Sequence, residues 1–249
     1  MNVTIISNNQ QTAKTANEGA IHEQKMLGFP QDNGILKPYS NIFYWSHLKT
    51  DYGSVISEHP HIGFEIIIYV LKGKVEVLDN INGKRSKLNE GDMQVLKSGK
   101  GMKHLEKLNS NSEILQIWLD PNFEEFKKIE PSLCKSQSSK FPVSISPGRS
   151  IRTLTGGTTP IVLDSQDVSI QVMELSTMDH RFPLNDDRIM SGYILDGELE
   201  LDSKLVKKGD FFIVRNTEEV AMNVLKDCRI FTVLSPDKPS YPTYADMYL

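Results

Sequence analysis

Two pairs of side chains in this 249-residue sequence have the types and spacing to hold a metal ion: His59 with His61, in HPHIGFE, and His104 with Glu106, in KHLEK. Successive side chains of an extended strand point to opposite faces, so residues two apart share a face. If each pair lies on a strand, all four side chains can project into the space the strands enclose and converge there. Neutral imidazoles with one carboxylate suit a borderline divalent ion such as iron, manganese, nickel, copper or zinc. Four protein ligands on an octahedral ion leave two positions open for a substrate or oxygen. A structural zinc site is instead closed, tetrahedral and often thiolate-rich, and neither Cys134 nor Cys228 lies near these pairs. The set reads as a reactive site. Glu65, an even number of residues beyond His61, is a rival carboxylate ligand unless Gly63 interrupts the strand with a bulge. Its other readings are a hydrogen-bond partner of a ligating imidazole and a solvent-facing strand residue. One HxH pair is a weak signal; two of them across a run of strands and turns carry the argument. His22, His47 and His180 stand alone and are assigned no chemistry.

The elements that must position these residues read as strands. Apolar, β-prone runs at 64–71, 74–79, 85–88, 93–98 and 113–119 are punctuated by Gly73, Asn82-Gly83, Gly91-Asp92 and Gly99-Lys100-Gly101, an all-β rhythm. Asn82-Gly83 is the clearest hairpin signal, because both residues tolerate the positive φ of a tight two-residue turn. Residues 121–129 space Phe123, Phe126 and Ile129 by three, which predicts a short amphipathic helix. The Ser- and Lys-rich stretch that follows has the composition of a linker. Strand signals resume at 168–175, 189–195, 198–201, 211–214 and 229–234. Tyr69-Val-Leu-Lys-Gly-Lys-Val-Glu-Val matches Tyr193-Ile-Leu-Asp-Gly-Glu-Leu-Glu-Leu, and Glu90-Gly-Asp-Met matches Lys208-Gly-Asp-Phe, so the second half reads as a copy of the first. The expected division is a metal-binding domain at 1–130, a linker at 131–142 and a second domain at 143–249. In the second copy the counterparts of the ligands fall near Pro183, Asn185, Met222 and Val224, none of them a metal set. Trp118 reads as core, and Phe43-Tyr44-Trp45 as either strand packing or a pocket rim.

Length permits two domains with cores of their own. No segment approaches the roughly 20 apolar residues of a membrane helix, and the amino terminus has neither the basic cluster nor the cleavage pattern of a secretory signal. Two widely spaced cysteines fit a reducing compartment. A soluble, cytoplasmic protein is expected. A net charge of −4 with interspersed signs argues against direct binding to nucleic-acid phosphates.

The string His59-Pro-His61-Ile-Gly-Phe-Glu65, with Tyr69-Val-Leu-Lys-Gly73, Gly91-Asp-Met-Gln94, Gly99-Lys-Gly101, His104-Leu-Glu106 and Leu115-Gln-Ile-Trp-Leu119, resembles the signature of the pirin family over about residues 34–122. The resemblance implies two tandem cupin barrels with one metal site in the first, on His59, His61, His104 and Glu106, and Fe(2+) as the foremost ion. It implies a dioxygenase that cleaves quercetin or a related flavonol or enediol with O2, Glu106 serving as ligand and transient base. The alternative it implies is a metal-dependent regulatory or interaction protein with protein partners, since eukaryotic pirins are nuclear, iron-dependent transcriptional cofactors. Two departures bear on substrate: Ile62 stands where pirins usually carry arginine, and Tyr44-Trp-Ser-His47 replaces the usual FDH-like segment.

Overall fold

Alternating apolar and polar residues, broken by glycines that take positive φ, give a chain built almost wholly of strands. The computed structural model describes residues 1–29, 32, 36–81 and 83–248. Among these the strands are, in chain order, β1 Asn2–Ile6, β2 Thr12–Ala16, β3 Ile21–Leu27, β4 Ile42–Thr50, β5 Ser54–His61, β6 Glu65–Lys72, β7 Lys74–Asp79, β8 Arg85–Asn89, β9 Met93–Lys97, β10 Met102–Leu108, β11 Ser112–Leu119 and β12 Ser132–Ser136. The second half adds β13 Val143–Ser146, β14 Arg149–Thr153, β15 Ser169–Leu175, β16 Asp179–Pro183, β17 Arg188–Leu201, β18 Lys204–Lys207, β19 Phe211–Arg215 and β20 Glu219–Pro236. The helix expected over 121–129 is a single turn, α1 Phe123–Phe126, which buries its two phenylalanines and leaves Ile129 exposed. A second short helix, α2 Tyr244–Tyr248, lies near the carboxy end. Among the described residues no helix is long and apolar enough to cross a membrane.

Two units form, each a cupin barrel. The front barrel comprises Gln11–Lys140 and Ser240–Leu249; the rear barrel comprises Met1–Gln10 and Phe141–Pro239. In the front barrel a seven-stranded sheet, β12-β9-β6-β11-β4-β3-β2, accompanies a four-stranded sheet, β5-β10-β7-β8. Its core includes Ile66, Ile68 and Val70 of β6, Val75 and Val77 of β7, Leu108 of β10 and Ile114 of β11. Fully burying each such aliphatic side chain contributes roughly 1.5–3 kcal/mol. From Glu65 to Leu71 every residue of β6 is buried, which accounts for its unbroken apolar run between two hydrogen-bonded neighbours. The rear barrel is a nine-stranded sheet ordered β1-β19-β17-β20-β15-β14-β13, with β16 on β20 and β18 on β17.

The internal repeat is visible in hydrogen bonds. In the front barrel the amides of Val70 and Gly91 bond the carbonyls of Asp92 and Val70; in the rear barrel the amides of Ile194 and Gly209 bond the carbonyls of Asp210 and Ile194. Asp92 also accepts the amides of Asn89 and Ser138, while Asp210 accepts those of Lys207 and Asn8. Ser138 follows β12, and Asn8 follows β1. These two strands are therefore counterparts: β12 pairs with β9, and β1 pairs with β19. Each copy of the repeat sends its first strand to the barrel built by the other copy. Residues 131–142, expected as a linker, thus include a strand of the front barrel, and residues 1–10, expected in the first domain, belong to the rear one. Where two strands were expected at 189–195 and 198–201, β17 runs through as one bent strand, with register shifts around Asp196 and Gly197 at φ +91°. Gly83 has φ +64° between the paired strands β7 and β8, as the hairpin expectation requires, while Asn82 lies outside the described residues.

Gly63 turns the chain between β5 and β6 at φ +80°, and a Cβ placed there would stand 2.2 Å from Phe123 Cε2. An L-residue in that left-handed conformation costs about 1–2 kcal/mol before any clash. Gly63→Ala is therefore expected to lower the unfolding free energy by at least about that amount, read as a shift of the denaturant midpoint at unchanged slope. An unchanged midpoint would show that the turn is not constrained in this way.

Candidate metal centre

Antiparallel pairing of β5 with β10 brings the two sequence pairs together. His59 lies opposite His104 and His61 opposite Met102, and a register shift follows, so that Glu106 faces Ile56. The shift places an extra residue in β5 between Ile56 and His59, where a bulge bends the strand and re-aims its side chains. The Nδ1 of His59 then lies 2.8 Å from the carbonyl oxygen of Ser57. A carbonyl only accepts, so this nitrogen carries the proton and the lone pair of His59 sits on Nε2.

His104 Nε2 is 3.0 Å from His59 Nε2 and 2.9 Å from His61 Nε2. One ring nitrogen carries at most one proton, so the two contacts cannot both be full two-centre hydrogen bonds while His59 Nε2 is itself a bare acceptor. A cation between the three rings removes the conflict. At the roughly 2.0–2.1 Å distance usual between imidazole nitrogen and zinc, ligands at right angles stand about 3 Å apart, in agreement with these separations. Burial and the neighbouring His59 push His61 down to about 4, and burial with His61 and His59 pushes His104 down to about 2. Both rings are therefore neutral near pH 7 and free to act as donors. The triad suits a divalent metal.

Glu106 does not fall within that three-histidine convergence. Its carboxyl is fully buried beside His104, with Oε1 3.7 Å from His104 Nδ1 and accepting a 2.8 Å hydrogen bond from Gln116 Nε2. Oε2 has no hydrogen-bond partner among the described residues, and neither has His104 Nδ1. Burial pushes the Glu106 carboxyl up to about 8, with the Gln116 bond opposing part of the rise. A buried carboxyl with a bare oxygen needs either a proton or a cation, which makes Glu106 a reasonable carboxylate neighbour of the triad.

Glu65 goes elsewhere. The turn at Gly63 separates β5 from β6, so the even spacing from His61 does not carry across, and the Glu65 carboxylate lies buried 3.7 Å from Lys97 Nζ. His47 meets Glu113, and His180 lies 2.9 Å from the Ser176 carbonyl. Sequence reasoning passed over Gln116; Trp118, read as core, does pack against the front core. The half-buried Trp118 ring meets His61 edge-on, with centroids 4.6 Å apart, and packs against Tyr44 and Phe43 as one wall of this interior. Of the Phe43-Tyr44-Trp45 triplet, the first two thus flank the site and Trp45 is fully buried. The available signal was Gln116 itself, a polar residue in the otherwise apolar LQIWL at even spacing from Trp118.

In the rear barrel the expected counterparts Pro183 and Asn185 are exposed, and the inward positions belong to Phe182 and Leu184. A one-residue slip in strand register exchanges the two faces. Val220, paired with Phe182, and Met222 and Val224 complete an apolar interior. No ligand set forms there among the described residues.

The Pirin family model matches residues 21–119, which contain every residue of the site. Over those residues the chain is similar to the pirin family. Human Pirin is 31% identical over 101 residues, 40% of this chain and 34% of that protein, so the match spans about a third of the relative's length. Among solved structures, the bacterial pirin YhhW of Escherichia coli in complex with nickel(II) superposes with a TM-score of 0.79 at 18% identity, covering 94% of this chain and 99% of that one. Quercetin 2,3-dioxygenase from Acinetobacter baumannii superposes at 0.79 with 16% identity, covering 94% and 79%. At such identities the likeness is one of fold, and it covers both barrels.

The raised Glu106 carboxyl sets a pH dependence. Its ordinary value is 4.5 and its folded value about 8. Between these the unfolded chain releases the proton while the folded, metal-free protein keeps it, so stability from this residue is full at low pH and is lost as pH rises through that window. Metal-free Glu106→Gln should therefore gain stability relative to the parent between pH 5 and pH 8, by up to a few kcal/mol, on the order of what such a shift supplies. Parallel stability curves for the two proteins across that range would refute the assignment.

Proposed function

We propose that the front barrel holds one divalent transition metal on His59, His61 and His104, with Glu106 as carboxylate donor, and that the protein is a metal-dependent dioxygenase acting on a flavonol-like or enediol substrate with O2. The observation that carries the reading is the approach of His59 and His61 to the same nitrogen of His104, at 3.0 and 2.9 Å. A bound ion would supply Lewis acidity and open positions for an enol or phenol oxygen. Fe(2+) is the foremost candidate, with nickel supported by the ion in YhhW, whose fold this chain shares.

The chain's own residues supply the rest. Oε2 of Glu106, bare and buried, is the atom that can take the proton of an enol or phenol. Trp118 stands edge-on to His61 with the buried Tyr44 and Phe43 packed against it, an aromatic side chain of the kind a flat, conjugated substrate packs on. The name of the Acinetobacter baumannii neighbour supports the same reaction class. A reducing, cytoplasmic location belongs to this reading, in keeping with free thiols at Cys134 and Cys228.

The test is direct. Protein purified without added metal is assayed for bound metal, oxygen uptake and loss of flavonol absorbance, beside His59→Ala and Glu106→Gln. The expected result is about one metal per chain and turnover that falls on the order of 100-fold or more in each variant. Full occupancy without oxygen uptake over a panel of flavonols and enediols would sink the dioxygenase and leave a metal-loaded regulatory or interaction protein. Refusal of every transition metal would sink both.

A further inference from the structure

Gln116 lies on β11, nearly fully buried, between Trp118 and Glu106. Its amide could in principle face either way, but its neighbours decide. The indole of Trp118 is a donor only, and its Nε1 stands 3.2 Å from Gln116 Oε1. The amide oxygen must therefore face Trp118, and the amide nitrogen must face Glu106, where Nε2 lies 2.8 Å from Oε1. Three groups thus form a chain with one direction of donation, from indole to amide to carboxyl. A donor pressed against Glu106 Oε1 obliges that oxygen to accept. Any proton or cation that Glu106 takes up is then directed to the other oxygen, Oε2, which is buried and without a partner.

We propose that Gln116, with its amide fixed by Trp118, is the positioning residue of the metal centre: it holds Oε1 of Glu106 as an acceptor and reserves Oε2 for the ion. This rests on the metal-site reading above. The chain also ties the aromatic wall to the ligand set, because the indole that meets His61 edge-on is the same one that orders the amide. Among hydrogen-bonding groups behind metal ligands, loss of one typically weakens metal binding about 10–100-fold.

The experiment measures nickel(II) affinity by chelator competition in full-length protein, with the visible spectrum of the cobalt(II) form as a second readout. The variants are Gln116→Leu, Trp118→Phe and Glu106→Ala, alone and combined. Gln116→Leu should weaken nickel about 10–100-fold and change the cobalt spectrum. Trp118→Phe, which keeps an aromatic ring and removes only the N–H, should weaken it in the same direction by less. In the Glu106→Ala background both effects should shrink to within a few-fold, since coupling through one partner vanishes with that partner. A structural role would instead weaken binding equally in both backgrounds. If Gln116→Leu does not fold, the Trp118→Phe pair of measurements decides alone. Wild-type binding of nickel with undiminished affinity in Gln116→Leu, or in Trp118→Phe when that pair decides, overturns the positioning role and leaves the metal site standing. No nickel or cobalt binding by the wild type overturns the metal reading, and this proposal with it.

Discussion

Everything in the front barrel answers to one unfavourable arrangement, two imidazoles directed at the same nitrogen of a third. Without a cation at most one of those contacts is a full hydrogen bond, and two of the three rings are buried. Isolated side chains would rotate away. They are held because β5 and β10 are hydrogen-bonded on both sides of the triad, because Ser57 ties His59 from behind, and because His61 and His104 are packed among buried neighbours. The barrel thus keeps a configuration that a bound cation would relieve, which is the pre-organisation a metal site requires.

The two barrels show how far an identical scaffold can diverge in its interior. Asp92 and Asp210 make the same set of backbone bonds, and the strands they anchor run alike. Yet where the front barrel carries donors, the rear interior holds Phe182, Leu184, Val220, Met222 and Val224. One copy stores its interior free energy as apolar burial. The other gives part of that up to keep imidazoles and a carboxyl dry, and so has a use for an ion.

Much of this was legible in the sequence. Glycines and alternating residues located about half of the strands because positive φ and two-residue periodicity are local properties. The three histidines were found because spacing on a strand fixes the face. The reading of Glu65 stayed open in the sequence because parity holds only while a strand continues, and Gly63 ends it. Gln116 escaped notice because its importance comes from Trp118 and Glu106, one of them on another strand, and no local pattern announces such a partnership. The segment expected as a linker was misread for a similar reason: its Ser and Lys residues suit an edge strand as well as a loop, and only pairing with β9 tells them apart.

That strand and its counterpart at the amino terminus are exchanged between the copies, and the last ten residues return to the front barrel, where Tyr244 packs against Phe43, Phe64 and Phe123 and Asp120 receives its amide. Neither half of the polypeptide therefore encodes a complete barrel. β1 finds its partner only once β19 has been made, and the front barrel is complete only once α2 has been made. The rear interior is apolar, yet its half of the sequence still supplies the edge strand of the front barrel.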